Sequence, residues 1–150
     1  MLPSEPKIFH GRENEISQIL NLFSQEAPKI AILGPGGMGK TSLAKATLHH
    51  PKVTGKYEQH RFFVNCDTAS TKVEVAALIG AHLGLKPGKD LTGPVLNYLS
   101  SNPACLMILD NLETVWEPEE SRGNVEEFLS LLTDVQHLAL MVSADVFAKM

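Results

Sequence analysis

The chain has no apolar run of transmembrane length, and Met1-Leu2-Pro3-Ser4-Glu5-Pro6 carries neither a basic start nor an apolar core like that of a leader peptide. These absences argue against a membrane partner and against secretion, so a cytoplasmic protein is expected. There are only two cysteines, Cys66 and Cys105, each inside an apolar run, which reads as buried reduced thiols and not as a disulfide or a metal site. The six histidines, the pair His49-His50 included, lack any spacing that zinc would need. Positive charge is in deficit, with 13 Lys and Arg against 17 Asp and Glu and a net charge of −4. No basic cluster offsets it, so nucleic acid is not an expected partner. Repeats and low-complexity segments are missing as well. What is left is ordinary globular usage, 43% apolar and 20% charged over 150 residues, enough for one domain with a real core.

One stretch stands out. Gly34-Pro35-Gly36-Gly37-Met38-Gly39-Lys40-Thr41 fills every fixed position of the phosphate-binding pattern G-x-x-x-x-G-K-[ST]. An apolar run, Ile30-Ala31-Ile32-Leu33, leads into it and a helical pattern beginning near Lys40 leaves it, the order of strand, loop and helix that the chemistry requires. Gly36, Gly37 and Gly39 let the backbone turn its N–H groups around phosphate oxygens, where side chains would not fit. The helix aims its positive N-terminal end at the anion. Lys40 can reach the β- and γ-phosphates, and the Thr41 hydroxyl can ligate Mg2+.

Around the loop, the chain alternates between two periodicities. Residues 1–7 read as a linker. Ile16, Ile19, Leu20 and Phe23 share one helix face ahead of strand one at Lys29 to Leu33. The helix after the loop carries Leu43, Ala44 and Leu48 and is stopped by Pro51, and residues 51–60 read as a loop. Arg61 to Cys66 is strand two, followed by a helix opened by the capping box Thr71/Glu74 and running toward Leu83 and Gly84. A short helix with Val95, Leu96 and Leu99 precedes strand three, Ala104 to Leu109, whose unbroken apolar run suits a strand covered on both faces. Asn111 to Gly123 reads as polar connection, Asn124/Glu127 as a second capping box, and His137 to Val142 as strand four. The expectation is an α/β fold with a mostly parallel sheet.

Strand three ends in Asp110, at the sheet edge where the loop lies, and a carboxylate there can hold the Mg2+ whose other protein ligand is Thr41. Asp67, beyond strand two, is a competing acid, but Asp67-Thr68-Ala69-Ser70 reads as a turn into the next helix. Hydrolysis needs a residue to polarise water, and the position after Asp110 is Asn111, an amide that cannot take a proton near neutral pH. Glu113 is the nearest candidate catalytic base, and slow or absent turnover is expected.

With these residues in place, the chain resembles STAND-class NTPases, the group that holds NB-ARC and NACHT domains, and the fungal NLR-like proteins in particular. The resemblance rests on Ile8-Phe9-His10-Gly11-Arg12-Glu13, on the loop extended to Ser42, and on Leu109-Asp110-Asn111-Leu112-Glu113-Thr114-Val115-Trp116. It implies a P-loop three-layer α/β/α sandwich and an ADP/ATP switch. In that switch Phe9, Gly11 and Arg12 line the adenine side, Lys40, Thr41 and Ser42 hold phosphates and Mg2+, and nucleotide exchange drives oligomerisation and signalling. The resemblance makes residues 8–150 the N-terminal part of such a domain, incomplete at four strands with the fifth missing. That would leave strand one as an apolar edge open to self-association or to pairing with full-length relatives. In such proteins a Ser/Thr-x-Arg sensor follows strand four; Ser143-Ala144-Asp145 keeps the hydroxyl and places an acid where Arg is expected. Two other readings stay open: a competent small P-loop ATPase or kinase, and an interaction fragment that no longer depends on nucleotide.

Overall fold

The computed structural model describes residues 13–24, 26–34 and 39–145. In chain order the elements are α1 (Glu13–Leu22), β1 (Lys29–Gly34), α2 (Lys40–His49), α3 (Pro51–Tyr57), β2 (Arg61–Asn65), α4 (Lys72–Leu83), α5 (Thr92–Ser101), β3 (Cys105–Asp110), α6 (Glu113–Trp116), α7 (Glu119–Thr133) and β4 (Leu138–Asp145). The four strands form one sheet of order β1-β4-β3-β2, and every pair is parallel. Helices cover both faces, as the crossover connections of a parallel sheet demand.

The two faces can be read from β3, all six of whose residues are buried. Leu106 and Ile108 pack in one cluster with Ile19 and Phe23 near α1, Leu43 and Leu48 of α2, and Val53 and Tyr57 of α3. Cys105, Met107 and Leu109 pack in the other with Val75 and Ile79 of α4, Val95 and Leu99 of α5, and Phe128 and Leu132 of α7. The split follows the two-residue period of a strand. Burying each large aliphatic or aromatic side chain contributes about 1.5–3 kcal/mol, so the two clusters together hold the helices to the sheet. Cys66 and Cys105 are free and buried, as expected. Burial pushes the Cys66 thiol up to about 12, reinforced by the nearby Asp110 carboxylate, and pushes Cys105 up to about 11.

Two expectations are corrected. Residues 51–60 are not simply a loop, because Pro51 to Tyr57 form α3. Proline has no N–H to lose at the first helical position, the His50 side chain accepts from the Lys52 N–H, and Val53 and Tyr57 fall on one buried face. The second capping box does not form either: α7 starts at Glu119 behind Pro118, so Asn124 lies inside the helix. Glu119 and Glu120 in the first turn favour this earlier start by complementing the helix dipole. The first capping box forms in modified fashion. The Thr71 hydroxyl accepts from the Glu74 N–H at 3.2 Å, while the Glu74 carboxylate accepts from the N–H and hydroxyl of Ser70. Gly84, at φ 78°, ends that helix in the left-handed conformation.

Among the described residues β1 pairs on one side only, with β4, and is thus an edge. Leu33 is 57% exposed there. It borders an apolar cleft with Ala31, Leu112, Trp116, Leu129 and Val142.

Candidate functional site

Parallel strands send all their C-terminal ends to one side of the sheet, and that brings the chemistry together. β1 ends at Gly34, and α2 starts at Lys40 after Gly39, whose φ of 73° places it in the left-handed region that glycine favours. Among the described residues no side chain caps the start of α2, and its first turn carries no acid. The first N–H groups of the helix, which have no intrahelical acceptors, therefore face a position suited to an anion. A polar cleft of about 160 Å³ opens there, lined by Gly39, Lys40, Thr41, Ser42, Asp110, Asn111 and Ser143.

Asp110 lies at the floor of the cleft, 1% exposed. Each of its oxygens has its own hydroxyl donor: Thr41 Oγ1 donates to Oδ2 at 2.8 Å, and Ser143 Oγ donates to Oδ1. A buried carboxylate without such donors or a countercharge would be costly, and Lys40, 8% exposed, lies in the same cleft. Thr41 and Asp110 are hard oxygen donors within hydrogen-bond distance of each other, the chemistry that fits Mg2+. Among the described residues no group of three or more His, Cys, Asp or Glu could hold a metal alone. That suits an ion bound through one or two protein oxygens, with phosphate and water completing its shell.

Next along the chain, Asn111 adopts φ 61°, a left-handed backbone that asparagine tolerates better than most residues. Its Nδ2 donates to Asn65 Oδ1 at 3.0 Å. Glu113 opens α6 and lies outside the residues that line the cleft. Asp67 takes part in a turn: its N–H donates to Asn65 Oδ1 at 3.1 Å, and Ala69 N–H donates to Cys66 O. Phe9, Gly11, Arg12, Pro35, Gly36, Gly37 and Met38 lie outside the described residues, as does the Asp145 side chain. Of the remaining expected positions, Gly39, Lys40, Thr41, Ser42 and Asp110 come together in the cleft, with the backbone of Gly34 at the end of β1. Sequence reasoning recognised in Ser143 only a sensor hydroxyl and left Asn65 unmentioned. The signal for Ser143 was its position at the end of strand four; nothing in the sequence singled out Asn65.

An α/β sheet of this order, a helix whose start follows the glycine-rich sequence 34–39, and a Thr41–Asp110 pair in the cleft with Lys40 define a nucleotide-binding P-loop module. No protein among curated sequences matches the chain. The chain belongs to the family described as Novel STAND NTPase 1, whose model matches residues 2–150. Among solved structures it is similar to the Aeropyrum pernix ORC1 protein in complex with DNA, with a TM-score of 0.75 and 18% identity over 95% of this chain and 41% of that one. It is also similar to the ORC2 protein of the same organism in ADPNP–ADP complexes, at TM-score 0.67 and 21% identity over 95% and 43%. A third is Drosophila ORC bound to DNA, at TM-score 0.67 and 20% identity over 93% and 38%. At these identities the likeness establishes the fold alone. The chain spans about two-fifths of the length of these solved chains. No helix among the described residues is long and apolar enough to cross a membrane.

Proposed function

We propose that the module binds ADP or ATP with Mg2+ and serves as a cytoplasmic nucleotide switch in signal transduction, of the NB-ARC/NACHT kind, that turns nucleotide over slowly or not at all. The observation that carries this is Asn111. It lines the phosphate cleft directly after Asp110, and an amide there can accept a hydrogen bond from water but cannot take its proton. Lys40 meets the β- and γ-phosphates, Thr41 and Asp110 hold Mg2+, Ser42 and residues 34–39 cradle phosphate, and Phe9, Gly11 and Arg12 line the adenine side. Glu113 is the candidate base for whatever turnover occurs.

Calorimetric titration with ADP and ATP, with and without Mg2+, tests the reading. Magnesium-linked binding with negligible phosphate release is the expected result. Rapid steady-state hydrolysis lost in Lys40→Ala would favour a working ATPase instead, and no binding of either nucleotide would favour an interaction fragment.

The partner reading has an observation of its own, since among the described residues β1 has an unpaired edge, with Leu33 exposed next to an apolar cleft. Self-association through that edge is proposed, with a second copy as the occupant. Sedimentation should show concentration-dependent association that Leu33→Glu abolishes; a wild-type monomer at all concentrations would refute it. Nucleic acid is not proposed as a partner, given the net charge of −4. Anisotropy of labelled duplex and single-stranded DNA should stay flat on titration.

A further inference from the structure

Asn65 is exposed at the C-terminal end of β2, and its side chain meets that of Asn111, which lines the cleft. Asn65 Oδ1 receives two donors, the Asp67 N–H at 3.1 Å and Asn111 Nδ2 at 3.0 Å. This geometry resolves which end of each amide is which. A backbone N–H can only donate, so the Asn65 atom facing Asp67 must be its oxygen. The Asn111 atom facing that oxygen must then be nitrogen. Asn111 also lines the cleft, and its amide oxygen is the end that Asn65 does not engage.

An oxygen in a phosphate cleft is an acceptor among acceptors. It gains nothing from a phosphate oxygen and needs a donor between the two, which water supplies. We propose that Asn65 is a positioning residue: through Asn111 it holds an amide oxygen toward the cleft, where that oxygen orders the water facing the terminal phosphoryl group of a bound nucleotide. The left-handed backbone at Asn111 belongs to the same device. At φ 61° a longer or β-branched side chain is disfavoured, whereas asparagine is tolerated and keeps its short amide within reach of β2. The chain thus holds a water without supplying a base for it. This inference rests on the nucleotide-binding reading above.

The relay uses only the oxygen of Asn65, so Asn65→Asp should preserve it and Asn65→Ala should break it. Asn111→Gly removes the amide while accepting the positive φ, which Asn111→Ala would strain. The test is the affinity of the full chain with Mg2+ for ADP alone and for ADP with aluminium fluoride, which mimics a phosphoryl group in transfer together with its facing water. This readout does not require turnover. Wild type and Asn65→Asp should bind the fluoroaluminate complex more tightly than ADP. Asn65→Ala and Asn111→Gly should lose roughly fivefold to tenfold of that affinity, the worth of about one hydrogen bond, and Asn65→Ala should keep ADP affinity within about twofold. Equal fluoroaluminate affinity in wild type and Asn65→Ala would overturn the proposal. So would an equal loss in Asn65→Asp, or a wild type that binds ADP and gains nothing from fluoroaluminate. A wild type that binds no ADP overturns the nucleotide reading itself, and the relay falls with it.

Discussion

Removing one hydroxyl, Ser143→Ala, isolates how the cleft floor is held. Ser143 is 1% exposed and donates to Asp110 Oδ1, while Thr41 supplies the other oxygen at 2.8 Å. Hydrogen bonds to a charged group contribute about 1.5–3 kcal/mol, and no water can replace this donor at a fully buried position. A loss of about 2 kcal/mol is expected. For a chain of this length, that corresponds to a fall of about 4–8 °C in melting temperature. Thr41→Ala removes the same kind of bond at a partly exposed residue, where water can substitute, so a smaller loss of about 1 kcal/mol is expected. The order should invert for Mg2+-dependent nucleotide affinity, because Thr41 is the proposed metal ligand and Ser143 only orients the carboxylate. Urea unfolding followed by circular dichroism reads the first quantity, and calorimetry with MgADP the second. In an Asp110→Ala background Ser143→Ala should cost almost nothing further, since its acceptor is gone. A single-mutant loss below about 0.5 kcal/mol, or the same loss in both backgrounds, would refute the reasoning.

Three further outcomes follow from particular contacts. Asn111→Asp supplies a carboxylate of the same shape at the cost of the Nδ2 donor to Asn65, and if the missing base is what slows turnover, ATP hydrolysis should still rise, by about 10²-fold; an unchanged phosphate-release rate would place the limitation elsewhere. Burial holds Cys66 and Tyr57 up to about 12 and Cys105 up to about 11, so between pH 9 and 11 the unfolded chain gives up protons that the folded chain keeps, and stability present below pH 9 falls as pH rises. The urea midpoint should drop over that window and drop less steeply in Cys66→Ala. Gly80→Ala would place a methyl group 2.7 Å from Leu91 Cδ1, so the end of that buried side chain must shift; the shift should offset the gain in helix propensity, and thermal melts should show a net change below about 1 kcal/mol instead of the full gain.

How far the sequence revealed the structure depends on the range of the signal. The apolar run of β3 and the start of the helix behind the glycine stretch are local patterns, and both appear where the residues place them. The Thr71 cap is local too, with Glu74 bonding Ser70 as well as reaching back to Thr71. α3 was missed because Pro51 ends one helix and begins the next, and only the burial of Val53 and Tyr57 against the sheet decides between those roles. Asn124 misled for the opposite reason: it is a good cap by type, but Phe128 and Val125 are both fully buried on a helix that had already begun at Glu119. The site was legible where its residues adjoin the loop or end a strand. Asn65 was not, because its contact with Asp67 is an ordinary local turn and its distant partner Asn111 meets it only after β2 and β3 pair.

That dependence on pairing ties the site to the core. β3 and β4 are in register from Cys105↔Leu138 to Leu109↔Val142, and one further step sets Asp110 beside Ser143. The backbone continues the pairing, with Leu112 N–H donating to Ser143 O at 3.0 Å. A slip of one residue would turn Ser143 to the other face and bring Leu138, Leu140 and Met141 out of their clusters, so apolar packing fixes the position of a polar hydroxyl. The coupling must run both ways. A ligand that draws on Asp110 stabilises only the correctly registered sheet, and its stabilisation grows as RT ln(1 + [L]/Kd). Core truncations in β3 or β4 that loosen this register, such as Ile108→Ala, should therefore weaken nucleotide binding although Ile108 is outside the residues that line the cleft.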